Sequence, residues 1–289
     1  MSGNSRTGAY TPRMNRRRFL KTLGLTGLGT LAATSLVAAK DTLAFSTTRS
    51  SIKLPRLTSP LKLVQLTDLH YGRFVTADWV QRWVKAANLE RPDLIVITGD
   101  IIDRAVPAAE LEAIADLLGQ LEARLGVYAV LGNHDYFYRT ENVSVRGLQR
   151  RLEERGIRVL VNESERVTGD LWLAGIDDLW RGSPNLGDAL RGIPSSAASV
   201  LLSHNPDVLA TVPPSVGLTL SGHTHGGQVR VPGLRTIYNV SNYGERFQRG
   251  WVTGFKGAKG YVSRGLGVGG LPLRIFCPAE LVVLELQPG

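Results

Sequence analysis

The stretch Val127-Tyr128-Ala129-Val130-Leu131-Gly132-Asn133-His134-Asp135 joins an uninterrupted apolar run to a cluster of polar and ionisable side chains. An apolar run with no polar alternation is typical of a strand that is buried on both faces of a sheet. The polar cluster then lies where the strand ends. Open α/β sheets bind their ligands at that edge, so the stretch predicts an α/β fold with a site at the carboxyl ends of its strands.

Four further motifs repeat this pattern of an apolar run followed at once by acids or histidines. They are Asp68-Leu69-His70, Gly99-Asp100-Ile101-Ile102-Asp103, Ser203-His204-Asn205 and Gly222-His223-Thr224-His225. All 5 histidines of the 289-residue chain fall within the five motifs. Histidines that serve packing or solubility would not gather at strand ends, so their distribution indicates one shared site.

The residue types in these motifs indicate bound metal ions. Residues i and i+2 of an extended segment face the same way, so Asp68 with His70, and His223 with His225, each present two ligands to one side. A central carboxylate can bridge two divalent ions, while imidazoles and an amide oxygen complete shells that leave positions for water and phosphate. Two ions about 3.5–4 Å apart polarise a phosphoryl group and supply a hydroxide at neutral pH. The motifs therefore predict a two-metal hydrolytic site.

The five motifs, in this order, resemble those of the calcineurin-like metallophosphoesterase superfamily. Later motifs narrow the resemblance to its bacterial branch of exported or membrane-associated phosphodiesterases, which includes relatives of UDP-diacylglucosamine pyrophosphatases. These motifs are residues 222–228, Arg264-Gly265-Leu266-Gly267 and Phe276-Cys277-Pro278-Ala279-Glu280. The resemblance implies a four-layer α-β-β-α sandwich of two mixed sheets, with the dinuclear metal site at the strand C-terminal rim.

Carried over residue by residue, the resemblance implies two sets of metal ligands. The first set is Asp68, His70, Asp100 and His225, and the second is Asp100, Asn133, His204 and His223, with Asp100 as the bridge. His134 would donate a proton to the leaving oxygen or bind phosphate as a cation, and Asp135 would orient it. Asp103 either joins the site or caps the following helix.

The resemblance also implies the cofactors and the reaction. We expect two divalent metal ions, manganese first, with iron, zinc or cobalt also suited to oxygen and imidazole ligands. The substrate would be a phosphodiester or a pyrophosphate, and a hydroxide bridging the two ions would be the nucleophile. The alternatives are a lipid-linked pyrophosphatase of the UDP-diacylglucosamine type and a non-catalytic metal-binding scaffold, against which His134 argues.

The formal net charge of +9 does not indicate a nucleic-acid partner. Residues 1–40 hold seven of the basic residues and no acid, so residues 41–289 hold 27 basic and 25 acidic residues. Residues 41–289 also lack a run of basic residues alternating with aromatic ones, which is typical of proteins that bind single-stranded nucleic acid. Between residues 230 and 274 there are eight basic residues and one acid, Glu245. This region would suit an anionic substrate or peripheral contact with a membrane, and a solvated basic face is the alternative.

The N-terminal stretch Asn15-Arg16-Arg17-Arg18-Phe19-Leu20-Lys21 resembles a bacterial twin-arginine export signal. An uncharged run from Thr22 to Ala39 follows, and it is short and glycine-diluted for a membrane span. The resemblance implies transport by the twin-arginine translocase to the periplasm or the outer face of the cytoplasmic membrane. Whether the signal is cleaved, at residues 37–39 or 44–46, or stays as an anchor is left open.

We therefore expect residues 1–50 to be a signal peptide and linker, with a polar linker from Thr47 to Pro60, and residues 51–289 to be the metallophosphoesterase domain. The single Cys277 excludes an intramolecular disulfide. Periodicity predicts the following elements. Strands are expected at 61–67, 94–97, 127–131, 157–160, 167–176, 199–202, 218–220 and 280–285, and helices at 77–89, 107–124 and 143–154.

Overall fold

Strands of the first sheet carry three of the five motifs at their carboxyl ends. A computed structural model of the protein describes residues 44–103, 106–136, 144–230 and 239–289. The sheet contains β1 (Phe45–Leu54), β2 (Leu61–Leu66), β3 (Leu94–Thr98), β4 (Val127–Val130), β5 (Ile157–Val159) and β12 (Ala279–Pro288). Their order is β1-β12-β2-β3-β4-β5, with β2 to β5 parallel and β12 antiparallel to β2.

The second sheet carries the remaining two motifs. It contains β6 (Glu163–Arg166), β7 (Leu171–Gly175), β8 (Ala198–Leu202), β9 (Leu218–Ser221), β10 (Gly250–Thr253) and β11 (Lys259–Val262), in the order β10-β11-β9-β8-β7-β6. The four inner strands are parallel, and the edge strands β6 and β10 pair antiparallel to their neighbours. Both sheets are therefore mixed, as predicted.

Helices cover the outer face of the first sheet. They are α1 (Ala77–Leu89), α2 (Ala108–Leu118) and α3 (Val145–Glu154). Helix α1 buries Val80, Trp83, Val84 and Ala87, which are spaced as one helical face. These side chains pack with strand residues such as Val64 and Ile95.

A second apolar layer fills the space between the sheets, where Leu63 and Val96 of the first meet Leu173 and Val200 of the second. A third lies outside the second sheet, under the short helix α4 (Leu186–Ala189) and two 3₁₀ turns, Pro206–Ala210 and Gly244–Phe247. The order helix, sheet, sheet, helix confirms the predicted four-layer sandwich. The helical layer that covers the second sheet is built from shorter elements than the helical layer that covers the first sheet.

The polar linker predicted from Thr47 to Pro60 is wrong over residues 47–54, which belong to β1. This strand pairs with β12 over ten residues, from Phe45 with Ala279 to Leu54 with Pro288. It lies at the sheet edge, where polar side chains can face water, so its polar composition concealed it. The domain boundary predicted between residues 50 and 51 falls inside this strand, and so does one of the two expected cleavage points, at residues 44–46.

The remaining differences are shifted element ends and the short elements β6, β10, β11 and α4, which periodicity did not predict. The second helix stops at Leu118 rather than Arg124, and β7 begins at Leu171 because residues 167–170 form the turn that connects it to β6. The twin-arginine motif and the first cleavage point lie outside the described residues. Within the described ranges, no helix has the length and apolar content that crossing a bilayer requires.

Candidate metal centre

All seven predicted metal ligands follow strands whose carboxyl ends meet at one rim of the sandwich. Strands β2, β3 and β4 lead to Asp68 and His70, to Asp100 and to Asn133, while β8 and β9 lead to His204 and to His223 and His225. Every one of these residues is at most 8% exposed. The fold therefore gathers buried carboxylates and imidazoles from both sheets into one cluster.

The backbone at the ligands is not extended, which corrects the spacing argument made from the sequence. Five ligands have a positive φ, between 49° and 69°, in the left-handed region that side chains avoid: Asp68, His70, Asp100, His223 and His225. Each such residue costs about 1–3 kcal/mol. Hydrogen bonds across the rim hold this geometry, including those from the His70 amide to the Asp100 carbonyl and from the Asp68 amide to the Gly99 carbonyl, both 3.0 Å.

The first ligand group comprises Asp68, His70 and His225. The Nε2 atoms of His70 and His225 lie 2.9 Å apart, and His225 Nε2 lies 3.4 Å from an Asp68 carboxylate oxygen. Two imidazole nitrogens at this distance need a proton or a cation between them, because their lone pairs would otherwise repel. This geometry fits a bound cation.

The second ligand group comprises Asp100, His204 and His223, with the Asn133 side chain beside it. His204 Nε2 lies 3.2 Å from Asp100 Oδ2, 3.2 Å from Asn133 Oδ1 and 3.1 Å from His223 Nδ1. Asp100 Oδ2 also lies 3.5 Å from His70 Nε2, so the Asp100 carboxylate faces both groups. His223 and His225 fall in different groups, as the resemblance implied.

The two groups fit divalent ions by donor chemistry as well as by distance. Oxygen and imidazole ligands suit manganese, iron, zinc and cobalt. Among the described residues, buried His223 Nε2 has no hydrogen-bond partner, which leaves this imidazole available to a ligand. The His204 ring is fixed by its Nδ1, which donates to the Thr98 carbonyl at 2.9 Å, as is common for metal-binding histidines.

The charges within the cluster are strongly coupled. Burial would raise the pKa of the Asp100 carboxyl, but His204 and His70 hold it well below its usual range. Burial disfavours the charged imidazole of His204, yet Asp100 raises its pKa to about 10. Burial and the neighbouring His204 charge lower the pKa of His223 to about 3. A bound divalent ion would displace the proton on His204, because a ligating imidazole must be neutral.

His134 lies beside the two groups with its side chain 21% exposed. Its Nδ1 lies 2.6 Å from the Asp103 carbonyl oxygen and 3.3 Å from the Asp103 carboxylate, and its backbone amide donates to Asp100 Oδ1 at 2.8 Å. Burial opposes protonation, but Asp103 and Asp100 together raise the pKa of His134 to about 9. Asp103 and Asp100 thus favour the protonated imidazole, which is the form that a general acid requires.

Asp135 does not have the position predicted for it. Its carboxylate is fully buried and accepts hydrogen bonds from the backbone amides of Ile101, Ile102 and Gly132, at 2.8–3.1 Å. Asp135 therefore connects the loop after β3 to the loop after β4. The residue that contacts the His134 ring is Asp103, not Asp135 as predicted. The resemblance had implied that Asp135 orients His134, but residues 133–136 form a 3₁₀ turn, in which the two neighbouring side chains point in different directions.

Arg274 is a site residue that the sequence did not identify. It was counted in the basic region between residues 230 and 274, but it is buried behind His225. Its guanidinium lies 3.3 Å from His225 Nδ1 and donates to the carbonyl oxygens of Gly267 and Arg264 at 2.7 and 2.8 Å. Nothing in the local sequence separates a buried arginine from a solvated one.

Two glycines of the motifs are needed for close approach. A Cβ atom at Gly132 would collide with the Asp100 carboxylate, and one at Gly222 would collide with the Asp68 carboxylate. Both positions therefore leave room for ligand side chains that come from other strands. This explains the glycines that directly precede Asn133 and His223 in these two motifs.

A pocket of about 850 Å³ opens onto the cluster. One side is formed by Asp100, Asn133, His134, His223 and His225. On another side, the Trp180 ring packs edge-to-face with His223 at a centroid distance of 4.3 Å. Trp180 is held by Asp178, whose carboxylate accepts hydrogen bonds from the backbone amides of Trp180 and Arg181.

Comparison with known proteins places this geometry in a family. The model of the calcineurin-like phosphoesterases matches residues 61–227, the span that contains all five motifs. The uncharacterized metallophosphoesterase YkuE of Bacillus subtilis (strain 168) is 32% identical over 292 residues, which cover 95% of this chain and 98% of that protein. An uncharacterized metallophosphoesterase of Aquifex aeolicus (strain VF5) is 31% identical, over 81% of this chain and 88% of that protein.

Phosphodiesterase YaeI of Escherichia coli (strain K12) is 32% identical over 250 residues, which cover 79% of this chain and 83% of that protein. The family match spans more than half of the chain and coincides with the buried cluster of carboxylates and imidazoles. The clustered ligands and the family match thus agree, and the chain belongs to the calcineurin-like phosphoesterases, as a metal-dependent phosphoester hydrolase.

Proposed function

We propose that the protein hydrolyses phosphodiester or pyrophosphate bonds with the help of two divalent ions held by the seven clustered ligands. The observation that carries this proposal is the position of Asp100, whose Oδ2 lies 3.5 Å from His70 Nε2 and 3.2 Å from His204 Nε2. One carboxylate oxygen between two ligand groups is the arrangement that a bridging ligand needs. When bound, two such ions would polarise the phosphoryl group and make water nucleophilic at neutral pH.

The side chains around the ions would have separate tasks in this proposal. Asp68, His70 and His225 would hold one ion, His204, His223 and Asn133 the other, and Asp100 both. His134 would protonate the leaving oxygen, since Asp103 and Asp100 keep it charged. General acid catalysis of this kind contributes roughly 10²–10⁴-fold in rate. We propose manganese as the native ion, with iron, zinc and cobalt as ions that the same ligands would accept.

The preference for a diester draws support from the relative in Escherichia coli, which is named a phosphodiesterase. The pocket is also large enough for a substrate with two groups on the phosphorus, since ligand sites typically enclose about 300–1,000 Å³. A scaffold that keeps its metals without turnover is the competing function. The position of His134 beside the ligands supports an enzyme instead, because Asp103 and Asp100 favour its protonated form and a purely structural metal site needs no general acid.

A second candidate is a lipid-linked pyrophosphatase of the UDP-diacylglucosamine type that works at a membrane surface. The observation that favours it is an exposed stack in which the Arg246 guanidinium lies 4.1 Å from the Phe255 ring centroid and Tyr243 packs against Phe255. Aromatic and basic side chains are enriched where proteins touch anionic lipid headgroups. Export by the twin-arginine route, to the periplasm or the outer face of the cytoplasmic membrane, belongs to the same proposal and rests on residues 15–21.

The test uses the protein after metal removal by a chelator and gel filtration. Manganese is then added back, and hydrolysis of bis(p-nitrophenyl) phosphate is compared with that of p-nitrophenyl phosphate. We expect turnover only with metal, and faster turnover of the diester. Absence of metal-dependent turnover of either compound would sink the enzymatic proposal, while monoester preference would reject the diester assignment. Vesicles with and without anionic lipid, in a sedimentation assay, test the membrane candidate.

A further inference from the structure

One wall of the pocket is apolar and exposed to solvent. It is formed by Trp180, Val229, Val240 and Leu271, of which Trp180 is 47% and Leu271 62% exposed. Leaving large apolar side chains in water forgoes about 25 cal/mol for each Å² that burial would remove from solvent. A ligand that covered both side chains would recover part of this free energy.

The polar groups beside these side chains are already used within the protein. The Gln228 side chain donates from Nε2 to the carbonyl oxygens of Gly269 and Leu271, at 3.1 and 2.8 Å, and its Oε1 accepts from the Gly269 amide at 3.0 Å. These bonds fasten the segment 269–271 against the pocket. The wall is therefore preorganised, and the Gln228 side chain offers a ligand little further hydrogen bonding.

The charges along the pocket are confined to one side. Among the described lining residues, the ionisable ones are Asp100, His134, His223 and His225, all in the metal centre, and none is a lysine or an arginine. Among the lining residues that the structure describes, a second phosphate or a carboxylate on the substrate would therefore meet no basic side chain at the apolar wall. Desolvating such a charge without a partner is costly.

The apolar wall begins next to the metal centre. The ring centroids of Trp180 and His223 are 4.3 Å apart, and Gly269, which precedes the Leu271 turn, packs against the His225 ring. A group attached directly to the phosphorus that the ions would hold is therefore placed to contact Trp180 and the segment 269–271.

We propose that Trp180, Leu271, Val229 and Val240 form a subsite for an uncharged apolar or aromatic group esterified to the phosphorus, next to the catalytic ions. This subsite rests on the proposed phosphodiesterase function and extends it by defining which diesters are bound. An aliphatic chain and an aromatic ring share the required chemistry. A group that carries a further charge would gain nothing from contact with this wall.

The test measures binding rather than turnover, so it remains valid if the protein hydrolyses nothing. Isothermal titration calorimetry on the manganese-loaded protein compares methyl-, hexyl-, phenyl- and 2-carboxyethylphosphonate, which share the metal-binding group and differ in the attached group. We expect hexyl- or phenylphosphonate to bind on the order of tenfold more tightly than methylphosphonate, a ratio that corresponds to the burial of roughly two methylenes against a wall that stays partly open to solvent. The carboxyethyl compound should bind no better than the methyl compound.

The hexyl and phenyl compounds distinguish an aliphatic from an aromatic natural group, and preference for either supports the subsite. Equal affinities across the series, or tightest binding of the charged compound, would overturn it. Failure of the proposed function has a different signature, namely a normal binding series without hydrolysis of any phosphate ester.

Variants of Trp180 and Leu271 test whether the apolar wall causes the preference for apolar phosphonates. Trp180→Ala and Leu271→Ala should each reduce the ratio of hexyl- to methylphosphonate affinity about fivefold, and Trp180→Phe should restore most of this ratio. Trp251 and Leu89, 42% and 82% exposed and outside the pocket lining, provide matched controls as Trp251→Ala and Leu89→Ala. An unchanged preference in both wall variants would contradict the assignment.

Discussion

His134 Nδ1 lies 2.6 Å from the carbonyl oxygen of Asp103 and 3.3 Å from its carboxylate. The imidazole is thus anchored by a residue that lies 31 positions earlier in the chain, on the loop after β3. This contact orients the ring and favours its charged form. The adjacent Asp135, in contrast, makes its hydrogen bonds to backbone amides.

Replacing Asp103 with asparagine should shift the pH dependence of catalysis. A general acid must be protonated, so activity is lost as the pH rises through its pKa. The carboxylate of Asp103 raises the pKa of His134, and its neutralisation should move the alkaline limb of kcat/KM to lower pH by about 1 unit. A pH profile from 6 to 10 on the manganese-loaded Asp103→Asn variant measures this. An unmoved alkaline limb would remove Asp103 from the orienting role.

Asp100→Ala and His134→Ala should separate metal binding from proton transfer. Because Asp100 Oδ2 faces both ligand groups, its removal should lower metal content well below two ions per chain. His134→Ala should keep both ions and lose roughly 10²–10⁴-fold in kcat. Elemental analysis after gel filtration, combined with kinetics on bis(p-nitrophenyl) phosphate, measures both effects. Loss of metal in His134→Ala would show that the roles have been exchanged.

Asp135→Ala should act mainly on stability. It would leave three buried backbone amides without their acceptor, and each unsatisfied group costs about 1–3 kcal/mol. We expect a loss of at least 3 kcal/mol, roughly, in the free energy of unfolding, measured by denaturant titration of the metal-loaded protein. Asp135→Asn, which keeps one acceptor oxygen, should lose less. If Asp135→Asn instead reproduced the pH shift of Asp103→Asn at unchanged stability, Asp135 would be the orienting residue after all.

These contrasts show which parts of the site were readable from sequence. The clustering of the predicted ligands was, because a buried strand that ends in an acid or a histidine leaves a local pattern, as at Asp68 and His204. The Asp103 contact with His134 was not, since it joins two loops whose relative position depends on strand packing. Strand β1 was missed because four of its ten residues are exposed and only Leu54 is buried. The four-layer order could be predicted because the family resemblance implies it, and the structure confirms it.

The proposed export by the twin-arginine route rests on residues 15–21 and is tested separately. Replacing Arg16 and Arg17 with lysine should leave the precursor in the cytoplasmic fraction, because the paired arginines are the part of the motif that defines a twin-arginine signal. Arg18→Lys, at the variable position, is the matched control and should be exported. Cell fractionation followed by immunoblotting measures the distribution. Unchanged export of the Arg16→Lys/Arg17→Lys variant would contradict the assigned route and periplasmic location.

Arg274 offers a test of the backbone support behind one ligand group. Its guanidinium binds the carbonyl oxygens of Arg264, Gly265 and Gly267 and lies 3.3 Å from His225 Nδ1. The Gly267 amide in turn donates to the Asp68 carbonyl at 2.7 Å. Arg274 therefore couples His225 to Asp68, which are both in the first ligand group.

Arg274→Met should consequently weaken the first metal site more than the second. We expect a fall in affinity for one of two manganese ions by about 10–100-fold, the range typical of residues that support metal ligands, with the other ion retained. Arg274→Lys should rescue little, because an ammonium group cannot bond several carbonyls in the plane of a guanidinium. Calorimetric titration of the metal-free protein resolves the two sites, with the exposed Arg246→Met as control. Equal weakening of both sites would place the effect in global stability, and a near-wild-type titration would show that the loop holds His225 without Arg274.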